Sequence, residues 1–177
     1  LPHMPGMIFE AHSTDYQVPA MLAALVRDGF SILKVGPGLT FALRQALYGL
    51  DAIAQEMFPA ARPQTLRQTM EGVMCAHPEH WARYYHGADA ELRLQRQFSY
   101  SDRIRYYWPD PAAEVAVQRL LAVLDGIDLP EPLIGQFLGA AYADVRAGLL
   151  RPRARDLMSA AITAVLQTYV DACVPNG

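Results

Sequence analysis

The chain has 177 residues, of which 52% are hydrophobic and 19% charged, and its formal net charge at pH 7 is −3. This length is enough for one domain with a sizeable core, and the composition excludes an intrinsically disordered chain. The small acidic charge does not favour nucleic acid or an anionic membrane as a partner, and the apolar runs are too short to span a bilayer. Because Cys75 and Cys173 match no metal-ligand spacing, we expect a reduced, cytoplasmic protein.

The first part of the chain predicts two strands, each followed by a helix. Apolar runs at residues 7–12 and 30–35 are typical of buried strands. Apolar residues at helical spacing follow at residues 17–29 and 39–58. A strand, a helix and a strand in this order predict a βαβ unit, which implies parallel strands and a right-handed crossover.

From residue 63 onward the sequence predicts helices and no further strand. The predicted helices span residues 64–76, 78–86, 88–98, 101–107, 111–124, 131–149 and 153–173. A parallel sheet needs cover on both faces, so two strands do not make a stable sheet alone. We therefore expect an α/β chain: the last two βα units of a TIM-type (β/α)8 barrel at residues 1–60, followed by an all-helical C-terminal extension at residues 61–177. The other barrel strands are expected N-terminal to Leu1.

The first predicted strand carries polar residues on one face near its carboxyl end. Alternation along a strand puts Glu10 and His12 on the same face as Ile8. In barrels of this type the carboxyl ends of the strands carry the active site. Glu10, with Asp15 in the following loop, is therefore predicted to be a catalytic acid or base, and His12 a second acid or a ligand of a divalent metal such as zinc. The alternative is a paired carboxylate at Glu10 and a helix cap in the loop.

The second predicted strand ends in Lys34, the single lysine among the 15 basic residues. Phe30, Ile32 and Lys34 are predicted to share a face, because side chains alternate along a strand. Three roles are open for Lys34: it could bind a phosphate or carboxylate, form a Schiff base as in class I aldolases, or pair with Glu10.

Phosphate is predicted to bind where the two loops lead into helices. Gly36 and Gly38 open the second helix, and backbone amides at a helix start favour anions. Ser13 and Thr14 stand at the corresponding place after the first strand. The alternative is a plain turn from strand to helix at both places.

A dense group of arginines and aromatic residues lies at residues 99–109. Within it, Arg103 is a predicted phosphate-binding residue, because a guanidinium binds phosphate in a bidentate manner. The same group would also suit a protein interface. The alternative is a packed helix in which Asp102 pairs with an arginine.

Four segments resemble a known family: residues 9–17, 32–47, 77–87 and 99–109, with the sequences FEAHSTDYQ, ILKVGPGLTFALRQAL, HPEHWARYYHG and SYSDRIRYYWP. They are similar to the C-terminal half of the tagatose-bisphosphate aldolase non-catalytic subunit family, also known as tagatose 6-phosphate kinase. That family is similar in fold to class II, zinc-dependent aldolases. Gly36 stands where the catalytic aldolase subunits have an asparagine, which argues against aldolase catalysis by this chain. The sequence also carries no nucleotide-binding glycine loop of the kind a kinase needs.

The resemblance implies two alternative functions in carbohydrate metabolism. In the first, the chain is the C-terminal part of the non-catalytic subunit of class II D-tagatose-1,6-bisphosphate aldolase. It would support the activity and stability of a catalytic aldolase subunit, within an oligomer, in tagatose or galactitol catabolism. In the second, the protein is a metal-assisted ketose-phosphate 4-epimerase that acts on tagatose 6-phosphate. Glu10 would then be the acid or base, His12 would bind the metal and Lys34 would bind the sugar phosphate.

Overall fold

The computed structural model describes residues 6–61 and 64–174. Its elements, in chain order, are β1 (Phe9–Ala11), α1 (Pro19–Arg27), β2 (Phe30–Leu33), α2 (Gly38–Met57), α3 (Leu66–Ala76), α4 (Asp89–Phe98), α5 (Pro111–Val123), α6 (Glu131–Phe137), α7 (Gly139–Arg146) and α8 (Ala154–Cys173). Short 3₁₀ helices lie at Pro59–Ala61, Pro78–His80 and Arg103–Tyr107. The described chain is therefore mostly helical, with a small parallel sheet, as the α/β prediction requires.

The two strands pair in parallel and α1 connects them, which confirms the predicted βαβ unit. The aligned pairs are Phe9 with Phe30, Glu10 with Ile32 and Ala11 with Leu33, with an irregularity after the first pair. Phe30 lies beside Phe9, and their rings meet edge to face at 6.3 Å. The irregularity then brings Ile32, rather than Ser31, beside Glu10, whose side chain alternates to the opposite face from that of Phe9. The prediction that Phe30 shares a face with Ile32 is therefore wrong: simple alternation fails where a strand contains a bulge.

Helix α2 is the centre of the hydrophobic core. Its apolar residues recur at helical spacing, and Leu47, Leu50 and Ile53 are buried. They pack in one cluster with buried residues of the later helices, including Leu66, Met70, Leu120, Ile134 and Leu157. Helix α8 also packs back against α1 and α2. The residues on both sides of the predicted boundary near residue 60 therefore share one core.

Three predicted helices are divided or replaced in the structure: those at residues 131–149, 78–86 and 101–107, the last of which is a 3₁₀ helix at Arg103–Tyr107. The helix predicted at residues 131–149 is divided into α6 and α7, because Leu138 leaves the helical conformation with φ −134° and ψ 44°. This break lies directly against α2: a Cβ added at Gly49 would come within 2.6 Å of the Phe137 carbonyl oxygen. The helix predicted at residues 78–86 is a 3₁₀ helix at Pro78–His80 followed by turns.

One face of the sheet is exposed although it carries apolar residues. Ile8 is 74% exposed and Ile32 is 46% exposed, and Glu10 lies beside Ile32 on that face. On the other side, α1 packs against β2. Among the helices of the described residues, none combines the length and apolarity that crossing a bilayer would require.

Candidate functional site

Glu10, His12 and Lys34 meet at the carboxyl ends of the two strands. Lys34 Nζ donates a hydrogen bond of 2.8 Å to Glu10 Oε1, and His12 Nε2 lies 2.6 Å from the same oxygen. The backbone supports this arrangement, because the Lys34 amide donates to the Ala11 carbonyl oxygen and extends the strand pairing by one residue. The structure thus places these three residues side by side, and we name them the strand-end cluster.

The strand-end cluster carries an ionised carboxylate that solvent can reach. The bond from Lys34, followed by that from His12, holds the pKa of Glu10 below its usual value. The side chains of Glu10 and Lys34 are 40% and 48% exposed. The cluster therefore presents a solvent-accessible carboxylate whose lowered pKa favours the ionised form, with the Lys34 side chain beside it.

Asp15 occupies the helix start that was predicted to bind phosphate. Its carboxylate accepts hydrogen bonds from the amides of Gly36, at 2.8 and 2.9 Å, and Gly38, at 2.7 Å. The amides at this helix start favour an anion, as predicted, but the anion is the protein's own side chain. A phosphate could use them only by displacing Asp15, whose oxygens face the backbone rather than Glu10.

Thr14 is also engaged within the protein. It is buried, its hydroxyl donates to the Lys34 carbonyl oxygen at 3.0 Å, and it accepts from the Tyr169 hydroxyl of α8 at 3.0 Å. Helix α8 is therefore bonded to the loop that follows β1. The neighbouring Ser13 is exposed, and its φ of 54° lies in the left-handed region.

The residues of the strand-end cluster do not by themselves fit a zinc site. A catalytic zinc takes three protein ligands, and the described residues contain no group of three His, Cys, Asp or Glu side chains able to hold a metal. Glu10 and His12 offer two donors, and the Lys34 ammonium already contacts the Glu10 oxygen that faces His12. We therefore assign no chemical step to a metal.

Arg103 lies apart from the strand-end cluster. Its Nε donates to the His80 carbonyl oxygen at 2.5 Å, and its guanidinium lies 3.6 Å from the centre of the Tyr84 ring and 4.9 Å from that of Tyr106. No contact within the described residues joins it to Glu10, His12 or Lys34. The 3₁₀ helix that carries it packs on α3 and α4.

The structure adds two tyrosines that sequence reasoning did not single out. The Tyr16 hydroxyl donates to the Tyr100 carbonyl oxygen at 2.8 Å, and the two ring centres are 4.5 Å apart. Burial, with the charges of Asp102 and Asp15, raises the pKa of Tyr16 to about 12, so the hydroxyl stays protonated and able to donate. Residue spacing within one element cannot predict a contact between Tyr16 and Tyr100, which are 84 residues apart. The only signal in the sequence is the high proportion of aromatic residues near Tyr100.

A buried ion pair holds the segment around Tyr100 against α2. Arg44 Nε donates to Asp102 Oδ1 at 2.9 Å, and Thr40 donates to Asp102 Oδ2 at 2.6 Å. Arg44 also donates to the Gln97 carbonyl oxygen at 2.6 Å. The sequence left open an arginine partner for Asp102, and the structure identifies it as Arg44, which lies on a different element.

Comparisons with known proteins agree with the resemblance in the four segments. A family model described as "D-tagatose-1,6-bisphosphate aldolase subunit GatZ/KbaZ-like" matches residues 1–174. A "D-tagatose 6-phosphate 4-epimerase" from Agrobacterium fabrum is 53% identical over 165 residues, which are 93% of this chain and 38% of that protein. The crystal structure of a probable tagatose 6 phosphate kinase from Sinorhizobium meliloti 1021 has a TM-score of 0.95 and 61% identity, over 97% of this chain and 44% of that one. This chain therefore spans less than half the length of these two relatives, and it belongs to the GatZ/KbaZ-like family of D-tagatose-1,6-bisphosphate aldolase subunits.

Proposed function

We propose that this chain is the C-terminal part of a ketose-phosphate 4-epimerase that acts on tagatose 6-phosphate. The observation that carries the proposal is the strand-end cluster, with an ionised Glu10 between His12 and Lys34 on an exposed face. A subunit that only stabilised a partner would not need three ionisable side chains held together in this way. The relative that is 53% identical and is named as such an epimerase supports the same reaction.

The cluster fits an epimerisation that proceeds by cleavage and re-formation of a carbon–carbon bond. The Glu10 carboxylate accepts the proton of the C4 hydroxyl, and the C3–C4 bond breaks. Its electron pair moves through C3 onto the C2 carbonyl oxygen, giving an enediolate and an aldehyde at C4. After the aldehyde turns over, C3 attacks its other face and Glu10 returns the proton to the C4 oxygen. The Lys34 ammonium, 2.8 Å from Glu10, would stabilise the negative oxygen of the enediolate.

The remaining predicted site residues take different roles in this proposal. Ser13 is exposed beside the cluster and remains a candidate phosphate-binding residue. Asp15 acts by positioning, since it holds the amides of Gly36 and Gly38 and so fixes the loop that carries Lys34. Thr14 positions the same loop through the Lys34 carbonyl oxygen.

The barrel prediction also remains a proposal. We infer that residues 1–60 form the last two βα units of a (β/α)8 barrel and that residues 61–177 form a helical extension packed on them. The exposed Ile8 and Ile32 support this, because they lie on a sheet face that interior barrel side chains would cover. The short coverage of both relatives is consistent with further strands in the full-length protein.

A second candidate function is support of a catalytic aldolase subunit. The description of the family model as an aldolase subunit favours it. In that case the full-length protein would raise the activity or stability of a class II aldolase and would not convert tagatose 6-phosphate when alone.

The experiment is to incubate the purified full-length protein with tagatose 6-phosphate and follow its C4 epimer, fructose 6-phosphate, by NMR. We expect conversion by the wild-type protein and a loss of at least about 100-fold in kcat for Glu10→Gln, which removes the acid–base group. Lys34→Met should lower kcat as well. Glu114→Gln on α5 is the matched control, because this exposed glutamate lies outside the site. Absence of conversion together with activation of a catalytic aldolase subunit would favour the second candidate.

A further inference from the structure

We propose that Tyr16, Phe41 and Tyr100 form a wall of the sugar-phosphate site, against which the carbon chain of the ketose packs, and that Arg105 beside it binds the phosphate group. We name these three residues the aromatic wall. The inference rests on the proposed function, because it places the substrate at the strand-end cluster.

The three rings form one contiguous group that leaves a face open. The ring centres of Phe41 and Tyr100 are stacked 5.3 Å apart, and those of Tyr16 and Phe41 are 5.5 Å apart. Even so, Tyr100 is 67% exposed and Tyr16 is 47% exposed. Large rings held rigidly by each other but open to solvent suit a ligand with an apolar C–H face and polar edges, which is the chemistry of a sugar.

The aromatic wall adjoins the strand-end cluster through two short connections. Tyr16 follows His12 by four residues, which can span at most about 14 Å. Asp15, directly before Tyr16, is bonded to the amides of Gly36 and Gly38, which follow Lys34. The proposal places the ketose between the two groups, with its C4 hydroxyl at Glu10 and its carbon chain against the aromatic wall.

Backbone strain in the described residues is concentrated where the two segments meet. Three non-glycine residues have a positive φ: Ser13 at 54°, Tyr16 at 63° and Asp102 at 46°. The first two belong to the loop after β1, and the third follows Tyr100 by two residues. Such conformations persist when the surrounding structure enforces them, and they cluster at ligand-binding sites. Here the enforcement comes from Arg44, which holds Asp102 in the core.

Arg105 supplies a positive charge without a carboxylate partner. Its guanidinium donates to the carbonyl oxygens of Ser101, at 2.5 Å, and Asp102, at 3.1 Å, and to the Tyr106 hydroxyl at 2.8 Å. Among the described residues no carboxylate lies within ion-pair distance of it. It is also close enough to Tyr16 for its charge to act on that hydroxyl. Arg103 and Arg105 both contact the Tyr106 ring, at 4.9 and 4.4 Å. Arg105 donates to the carbonyl oxygen of Ser101, directly after Tyr100, whereas Arg103 donates to that of His80, so the geometry favours Arg105.

The test is titration calorimetry on the full-length protein with tagatose 6-phosphate and, separately, with inorganic phosphate. We expect Tyr100→Ala to weaken the Kd for tagatose 6-phosphate about tenfold and to leave that for inorganic phosphate unchanged. Tyr100→Phe, which keeps the ring, should bind both ligands like the wild type. Arg105→Gln should weaken both. Tyr84→Ala is the matched control, since Tyr84 is an exposed ring stacked on an arginine outside the site.

Saturation-transfer NMR gives a second readout, because irradiation of aromatic protons should reach the sugar C–H protons in the wild type and in Tyr100→Phe but not in Tyr100→Ala. An unchanged Kd in Tyr100→Ala, or equal weakening for both ligands, would overturn the aromatic wall. Conversion of tagatose 6-phosphate by the wild type is a separate measurement. Binding without conversion would reject the epimerase, and the Kd of Tyr100→Ala would still test the aromatic wall. A wild type that binds no tagatose 6-phosphate overturns both.

Discussion

The Arg44–Asp102 ion pair allows the sharpest stability prediction. Both side chains are almost completely buried, at 2% and 0% exposure, and their atoms are 2.9 Å apart. Asp102→Ala leaves the Arg44 guanidinium charged in the core without its carboxylate. Removal of one partner from a buried pair costs about 3–5 kcal/mol, because the remaining charge has lost its compensation. We therefore expect the free energy of unfolding to fall by that amount.

The exposed pair between Arg153 and Asp128 is the matched control. Its atoms are 2.8 Å apart, close to the 2.9 Å of the buried pair, but its side chains are 46% and 64% exposed. Solvent screens such a pair, and Asp128→Ala should cost no more than about 1 kcal/mol. The difference between the two variants then reflects burial together with two features particular to Asp102, its hydrogen bond from Thr40 and its left-handed backbone.

A double-mutant cycle completes this prediction. Arg44→Met combined with Asp102→Ala removes the orphaned charge, so the double variant should lose at least about 1 kcal/mol less than the sum of the single losses. The assay is urea unfolding of the full-length protein, followed by circular dichroism and by fluorescence to check that the two transitions coincide. A cost for Asp102→Ala no larger than that for Asp128→Ala, or additive single losses, would refute the reasoning.

Two further predictions concern the loop after β2 and the pH dependence of stability. Gly38→Ala should lower both activity and stability, because the added Cβ would lie 2.7 Å from Asp15 Oδ1. Gly139→Ala is the control: its Cβ would meet nothing within 4 Å, so the same kinetic and unfolding assays should show no change. Equal effects of the two variants would contradict the role of Asp15 as a cap of α2. Burial alone would raise the pKa of Glu71, but hydrogen bonds from Arg96 and a neighbouring glutamine outweigh it and lower the pKa below its usual value of 4.5. A carboxyl group whose pKa is lower in the folded state stabilises the fold at pH values above its unfolded pKa, and this stabilisation is lost as the pH falls through the folded pKa. Glu71→Gln should therefore lower the free energy of unfolding at pH 7 and reduce the further decrease of that free energy below about pH 4.5. An unchanged dependence of the free energy of unfolding on pH in this acid range would count against the pairing of Glu71 with Arg96.

Local sequence patterns were sufficient for the two strands, for α2 and for the meeting of Glu10 with Lys34. Helical spacing identified α2, and the order of strand, helix and strand brought two strand ends together. What local patterns could not supply were pairings between distant residues. Asp15 caps a helix that begins 23 residues later, and Thr14 bonds to Tyr169 across 155 residues. Such partners depend on the packing of whole helices, which spacing along one element does not encode.

The same limit applies to the predicted phosphate-binding residues. Sequence reasoning treated the amides of Gly36 and Gly38 as free, because it considered the helix start without the loop that lies over it. It named Arg103 as a phosphate-binding residue, whereas our proposal of Arg105 rests on the chain conformation, which local spacing does not give.

A crystal structure of the full-length protein with bound tagatose 6-phosphate tests the central claim most directly. We predict the sugar at the strand-end cluster, with its C4 hydroxyl within roughly 2.6–3.2 Å of a Glu10 oxygen and its carbon chain against Tyr100. The cavity of about 650 Å³ lined by Tyr48, Arg67 and Arg93 offers a distinct binding place within the described residues. Sugar phosphate bound in that cavity, with the strand-end cluster empty, would contradict the proposal that Glu10, His12 and Lys34 form the active site.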